Sequence, residues 1–389
     1  MLADTDAGSV VTAAQSGAQW GYHLILLQIL LIPVLYVIQE ITVRLGILTG
    51  RGHGALILSH FGPGWALVSA VTLFVACVGA LITEFAGIAG AGELAGVPNW
   101  LSVPAAATAL CFLITAGRYR RIEVVGIVLG LLELLFIPAA ILAHPHGGAL
   151  VHGLTHPVVL RHSYLTIVAA NVGAVIMPWM VFYQQQAVID KGIGRQHLRA
   201  ARADTAVGSV LTQGVMIAIV VSTAATIGRA NPGAALDTVG QIAGVLVPFL
   251  GRANAHLLFG LGMLGASTVA ALVVSVAGAW GMSEVMGWRH SLNDRFSAAR
   301  PFYLLCAGAV VASATAVVVA PNLVDLSVDV QLMNAALLPI VLGFLLVLEG
   351  RALAPADRMS GLRKWLVRTV ALIVMAVGLY AGVDAIAGL

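Results

Sequence analysis

A chain of 389 residues that is 60% hydrophobic and only 10% charged, with a mean hydropathy of +0.97, cannot dress a water-soluble surface. It reads as an all-α polytopic membrane protein whose solvent is lipid. The net charge of +3 decides nothing alone, and Cys77, Cys111 and Cys306, dispersed without a CxxC pair, suggest neither a disulfide framework nor a thiolate metal site.

The chain opens with two carboxylates, Asp4 and Asp6, directly before an apolar stretch expected to be helical from Val10 to Tyr22. No basic segment precedes it, so no cleavable signal is expected. An acid at such a place is a functional candidate, because a carboxylate beside a helix N-terminus can hold a cation. The plainer reading is an ordinary N-cap.

Ten further apolar spans follow, at about 23–39, 64–92, 98–116, 122–143, 164–188, 206–228, 254–284, 302–321, 330–348 and 365–388, making eleven in all. Alternate loops between them hold 17 of the 20 Lys and Arg residues, leaving only Arg161, Arg229 and Arg252 for the other side. The positive-inside rule makes the rich side cytoplasmic, with the N-terminus inside and the C-terminus outside. The outer loop after span five carries His144, His146, His152, His156 and His162. They could gather metal at an entrance, but their irregular spacing favours a solvated loop.

Intramembrane acids are few: Glu84 in span three, Glu133 in span five and Glu284 near the inner end of span eight. Glu84 is the best candidate for a proton or ion relay, against a plain hydrogen-bonded core Glu. Span six contains Gly173-Ala174-Val175-Ile176-Met177-Pro178-Trp179. Pro178 removes a backbone donor, so a helix should break here and expose the carbonyls of Gly173 and Ala174. Met177 adds a soft sulfur suited to a borderline transition metal, or it merely packs at a kink. Gln331, at the start of span ten, is a neutral oxygen donor for the same centre.

In this order the stretches resemble the NRAMP family of divalent metal transporters. The first-helix signature Asp-Pro-Gly-Asn, ending in Gly-Tyr, falls on Asp6-Ala7-Gly8-Ser9 through Gly21-Tyr22. An Arg-Leu-Gly-x-x-Thr-Gly motif is present from Arg44 to Gly50, and Ala-x-x-Met-Pro-His falls on Ala174 to Trp179. Asp204-Thr205 and Ala224-Ala225-Thr226 match the ends of the seventh helix, and Gln331 precedes Leu338-Pro339 as in the tenth. The resemblance implies a LeuT-like (APC superfamily) 5+5 inverted repeat of 11 transmembrane helices, with helices 1 and 6 broken around a midplane site. It divides the chain into a first repeat (1–162, with the inner half of helix 1 missing or truncated), a second repeat (163–350) and an additional helix 11 (351–389). Only five residues precede Asp6, where the family has about a dozen. Either the inner half of helix 1 is absent or the start falls at an internal Met, and the second is preferred.

The departures are specific. Ser9 replaces the signature Asn, Ala7 the Pro, Trp179 the His after Met-Pro and Gln184 a later His, while Glu84 and Gly87 stand for a pair of acids. These losses put proton coupling in doubt and resemble a branch linked to magnesium, whereas the retained Met177 favours a transition metal. The expected metal ligands are Asp6, Ser9, Ala174, Met177 and Gln331, with Glu84, Gly173, Trp179 and Gln184 as relay or lining residues. The expected function is import of Mn2+ or Fe2+, with Mg2+ close behind, across a bacterial inner membrane, with little or no proton coupling. Lipid and a divalent ion are the expected partners, with no resident cofactor and no nucleic acid. An amino-acid transporter of the same fold and a metal-binding membrane sensor are the alternatives. No His-Glu-x-x-His or comparable pair suggests an enzyme.

Overall fold

A computed structural model describes residues 5–116, 124, 128, 130–156, 161–289 and 296–387. Among them there is no strand. The helices are α1 (Ala7–Trp20), α2 (Ile25–Thr49), α3 (His53–Phe61), α4 (Pro63–Leu94), α5 (Asn99–Ala116), α6 (Phe136–Leu142), α7 (Gly147–Thr155), α8 (His162–Val175), α9 (Pro178–Asp190), α10 (Leu198–Thr223), α11 (Val247–Met286), α12 (Arg300–Val319), α13 (Leu323–Ala352) and α14 (Gly361–Ala387). Among the described residues eight stretches are long and apolar enough to cross a membrane, one of them, Ala7–Thr49, holding both α1 and α2. The start of the expected fifth span, and with it Arg118, Arg120 and Arg121, lies largely outside the described residues, as does Arg295, so the count of eleven rests on the sequence.

Hydrogen bonds fix the directions of the first helices. Ser9 reaches Ala174 and Ser16 meets Asn171, so α1 runs antiparallel to α8. Gln28 meets Asn171 and Gln39 meets Met180, so α2 runs parallel to α8 and α9. The chain therefore reverses between α1 and α2, and Gly21, at φ 57° and ψ −129°, supplies a conformation that other residues avoid.

Close helix approach rests on small residues. On α11, a Cβ at Gly278 would lie 2.9 Å from the Cβ of Cys77, and one at Gly281 only 2.2 Å from Leu73 of α4. Without a strong hydrophobic drive between helices in lipid, this backbone proximity supplies the packing energy. Pro339 inside α13 cannot bond the Ala335 carbonyl, and Gly378 of α14 packs against that same oxygen, where a Cβ would come to 2.3 Å.

Two elements were not anticipated. α3 is a short helix after α2, seated by His53, whose Nδ1–H donates to Gln185 Oε1 at 3.1 Å. Burial pushes the His53 pKa down to about 4, so the ring is neutral at pH 7. The histidine loop, expected to be irregular, holds α7.

At the basic end of the bundle, Glu40 of α2 is buried among three arginines. Its oxygens accept from Arg202 of α10 and Arg363 of α14 at 2.7 Å each, and Arg44 lies 3.4 Å away one turn along α2. Arg44 also reaches Glu349 of α13 at 3.4 Å and donates to the Asp357 carbonyl at 2.7 Å. One carboxylate thus ties three helices together. Glu40→Ala leaves Arg44 buried with one of its two counter-charges gone, and breaking a buried pair costs on the order of 3 kcal/mol. The purified variant is expected to unfold at a clearly lower temperature than wild type, whereas Asp204→Ala, at an exposed position, should leave the melting temperature within a degree or two.

Candidate functional site

A helix break and the capped start of another helix meet inside the bundle. α8 ends at Val175, Ile176 and Met177 take non-helical backbone angles, and Pro178 starts α9 at its first position. Proline is favoured there because its missing N–H has no ladder role. That same absence deprives the Ala174 carbonyl of a helical donor, and the Ser9 hydroxyl fills the place at 2.9 Å. The sequence-level expectation of a freed carbonyl at Ala174 is therefore met by a side chain from α1.

Asp6 is the N-cap of α1 and fully buried. Its Oδ1 accepts from Ser9 N at 2.8 Å and lies 2.6 Å from Ser9 Oγ. The cap and the candidate ligand are thus one residue, since capping occupies Oδ1 and sets the carboxylate at the positive end of the helix. Ser9 has one hydroxyl hydrogen and two acceptors, Asp6 Oδ1 and Ala174 O, so three oxygens converge around one proton. This is an electron-rich spot with a formal negative charge. Met177, also fully buried, sits in the break three residues after Ala174.

Gln331 lies in the third turn of α13, which begins eight residues earlier at Leu323, rather than at a span start as expected. Its Oε1 accepts from Asn334 at 2.9 Å, and its Nε2 faces Gly8, where a Cβ would sit at 2.1 Å. The amide therefore rests on the first turn of α1 with its nitrogen inward. Rotation of the amide exchanges the two atoms and brings the oxygen to the same place. Gly173 lines this region through its lack of a side chain: a Cβ there would lie 1.9 Å from the Gln331 carbonyl oxygen.

Glu84 occupies another flank of the first turn of α1. Its Oε2 is 3.5 Å from Ala7 N, a long contact. Gly87, where the resemblance calls for a second acid, has no room for any side chain, because a Cβ would lie 2.5 Å from both Ala7 Cβ and Ser267 Oγ. Glu133, noted only as an intramembrane acid, is buried beside Thr5 and lines a cavity of about 30 Å³ with Thr212 of α10. That volume suits a water molecule.

Trp179 and Gln184 do not join the oxygen cluster. With Gln39, Tyr183 and Asp204 they line a cavity of about 520 Å³ between α2, α9 and α10, which reaches Lys191 and His197 at the basic end. The buried amides escaped sequence reading. Asn171 of α8 accepts from Gln28 at 2.6 Å and donates to Ser16 Oγ at 2.8 Å and to Ile167 O at 2.7 Å, joining α1, α2 and α8. The signal was available, since Gln28, Gln39, Asn171 and Gln213 are amides within apolar runs. Among the described residues no three His, Cys, Asp or Glu side chains form a closed metal cage. The oxygen cluster draws instead on a hydroxyl and a backbone carbonyl.

Comparison with known proteins places this geometry. Residues 1–384 match the family model described as natural resistance-associated macrophage protein-like. The chain is 26% identical over 283 residues to the divalent metal cation transporter MntH of Vibrio campbellii, covering 70% of this chain and 66% of that one. It is 29% identical over 290 residues to MntH of Ralstonia nicotianae, covering 70% and 64%. The matched part thus spans just under two-thirds of those relatives. A variant of the manganese transporter of Eremococcus coleocola superposes with a TM-score of 0.78 at 18% identity, covering 100% of this chain and 85% of that one. MhsT in complex with L-phenylalanine superposes at 0.58 with 15% identity, covering 99% and 97%. The all-helical LeuT-like fold is common to them.

The close passage of α8 over α13 generates a test. Gly173→Ala must push the helices apart by more than an ångström, and such overpacking costs about 1–3 kcal/mol or more. The variant is expected to melt well below wild type, while Gly214→Ala, where a Cβ meets open space, should be neutral or slightly stabilising.

Proposed function

Because the chain belongs to the natural resistance-associated macrophage protein-like family, we propose that it carries divalent metal ions across a lipid bilayer and catalyses no reaction. The observation that carries this reading is the bond from Ser9 to the Ala174 carbonyl beside the buried Asp6 carboxylate, which joins the capped start of α1 to the break between α8 and α9 in one oxygen-rich spot. In the proposed site Asp6 supplies the charge. Ser9, the Ala174 carbonyl and Gln331 supply neutral oxygens, and Met177 supplies a thioether. Glu84 and Glu133 flank the site, Gly173 admits α13, and the cavity beyond Trp179 and Gln184 is the route to the basic side.

The proposed architecture is two inverted repeats, 1–162 and 163–350, followed by a last helix over 351–389. The basic end faces the cytoplasm of a bacterial cell, so the N-terminus is inside and the C-terminus outside. Magnesium demands octahedral oxygen and sheds water reluctantly, whereas manganese and ferrous iron accept mixed oxygen and sulfur ligands. The thioether therefore supports Mn2+ or Fe2+ ahead of Mg2+. An amino-acid substrate fits less well, because its carboxylate would meet the buried Asp6.

Tight proton coupling is not part of the proposal. Coupling needs a titrating group and a directed path. Trp179 and Gln184 stand where the resemblance has histidines, and Gly87 is sterically closed to a second acid.

In proteoliposomes the wild type should take up Mn2+ without acidifying the lumen, and Asp6→Ala should reduce uptake to background while keeping its elution profile, with the lost cap lowering its melting temperature only slightly. Near wild-type uptake by the folded variant would overturn the site. Lumenal acidification in proportion to metal influx, lost in Glu84→Gln, would overturn the uncoupled reading alone.

Met177→Ala should weaken Mn2+ binding by roughly tenfold, about 1.4 kcal/mol, while Mg2+ transport is spared or improved. Competition of each ion against radioactive Mn2+ measures this. An unchanged preference order means that the sulfur only packs, and Mg2+ then becomes the better substrate.

A further inference from the structure

We propose that the groove between α13 and α14 at the basic end binds the headgroup of an anionic phospholipid. The groove encloses about 540 Å³, and its rim carries Arg351, Arg358, Lys364 and Arg368, while Leu372 and Met375 of α14 form part of its wall. Helical rise places Leu372 and Met375 about 6 and 10 Å deeper than Arg368. Cations above an apolar wall match a phosphodiester above its acyl chains.

The cations of this rim lack carboxylate partners among the described residues, and their neighbours do not. Arg363 is bound to Glu40, Arg195 to Asp357, and Arg44 to Glu40 and Glu349. Arg351 lies over the Phe61 ring at 5.2 Å, and Arg358 gives only its Nε–H to the Leu353 carbonyl, at 2.8 Å. The single acid in the lining, Glu349, already accepts from Met359 N at 2.5 Å and faces Arg44. Four like charges gathered without a counter-ion repel one another, and an anion entering the rim relieves that repulsion.

The setting identifies the anion as a lipid. Trp365 on the first turns of α14 is 69% exposed, as befits an aromatic at the headgroup level, and Leu366, Leu372 and Ile373 are exposed along the same helix. A basic pocket between membrane helices on the cytoplasmic side is the arrangement that captures anionic headgroups. A free phosphate would have no use for the apolar wall.

The test uses the full chain, purified and delipidated in a neutral detergent. Phosphatidylglycerol, phosphatidylcholine and inorganic phosphate are titrated separately, and bound lipid is read by native mass spectrometry alongside the melting temperature. Phosphatidylglycerol is expected to bind at least tenfold more tightly than phosphatidylcholine and to raise the melting temperature, with inorganic phosphate giving neither effect. The pair Arg358→Gln with Arg368→Gln should bring phosphatidylglycerol down to the phosphatidylcholine level. The pair Arg289→Gln with Arg300→Gln, basic but outside the groove, should leave it unchanged. Should the groove pair fail to fold, Lys364→Gln alone is read in its place, with at least a threefold loss expected. Equal binding of the two lipids, an equal loss in the Arg289 and Arg300 pair, or the same stabilisation by inorganic phosphate would overturn the proposal.

Discussion

A backbone carbonyl without a donor cannot stand in hydrocarbon, and the structure around the break between α8 and α9 follows from that constraint. Pro178 creates the orphan at Ala174, and the Ser9 hydroxyl of α1 answers it at 2.9 Å. Ser9 lies in the first turn of a helix capped by Asp6, so answering the orphan also fixes where the carboxylate sits. The break in one helix thereby positions the charge on another. A polar substitution at Ser9 that lacked a donor would leave two oxygens facing each other, at a cost of about 1–3 kcal/mol for a buried unpaired group.

The two ends of α1's neighbourhood are held by different chemistry. Toward the histidine end, neutral amides do the work, with Asn171 bridging Ser16 and Gln28. Toward the basic end, Gln39 donates to the Met180 sulfur at 3.1 Å, and beyond it Glu40 gathers charges from α10 and α14. Sulfur is a weak acceptor, and the cavity past Trp179 lies on that side.

Much of this was legible in the sequence, for physical reasons that differ by residue. Apolar length marked the long helices, since lipid admits little else. Pro178 announced its break because it lacks a donor. The placing of Glu133 beside Thr5, and of Gln331 against Gly8 with its nitrogen inward, was not legible. Both depend on helix rotation and approach, which a one-dimensional pattern does not encode. The helix α7 was missed because histidines and glycines in a short loop carry no periodic signal. The amide network was open to notice and was passed over, since attention to charge alone overlooks side chains that can satisfy one another while neutral.

The remaining constraint is steric, and it bears on what the site can hold. The first turn of α1 is boxed in by the Gln331, Thr83 and Ser267 side chains and by the backbone of Gly87. Gly8 faces Gln331, and Ala7 faces Gly87 and Ser267 at separations that leave no room for another carbon. A carboxylate seated on so enclosed a turn has little freedom to follow an ion of a different size. In the proposed role, adjustment then falls to the groups that can rotate, namely the Ser9 hydroxyl, the Gln331 amide and the Met177 thioether. One formal charge with neutral, rotatable donors compensates only part of a dication. The ion must keep some of its water or draw on Glu84 and Glu133 at the flanks.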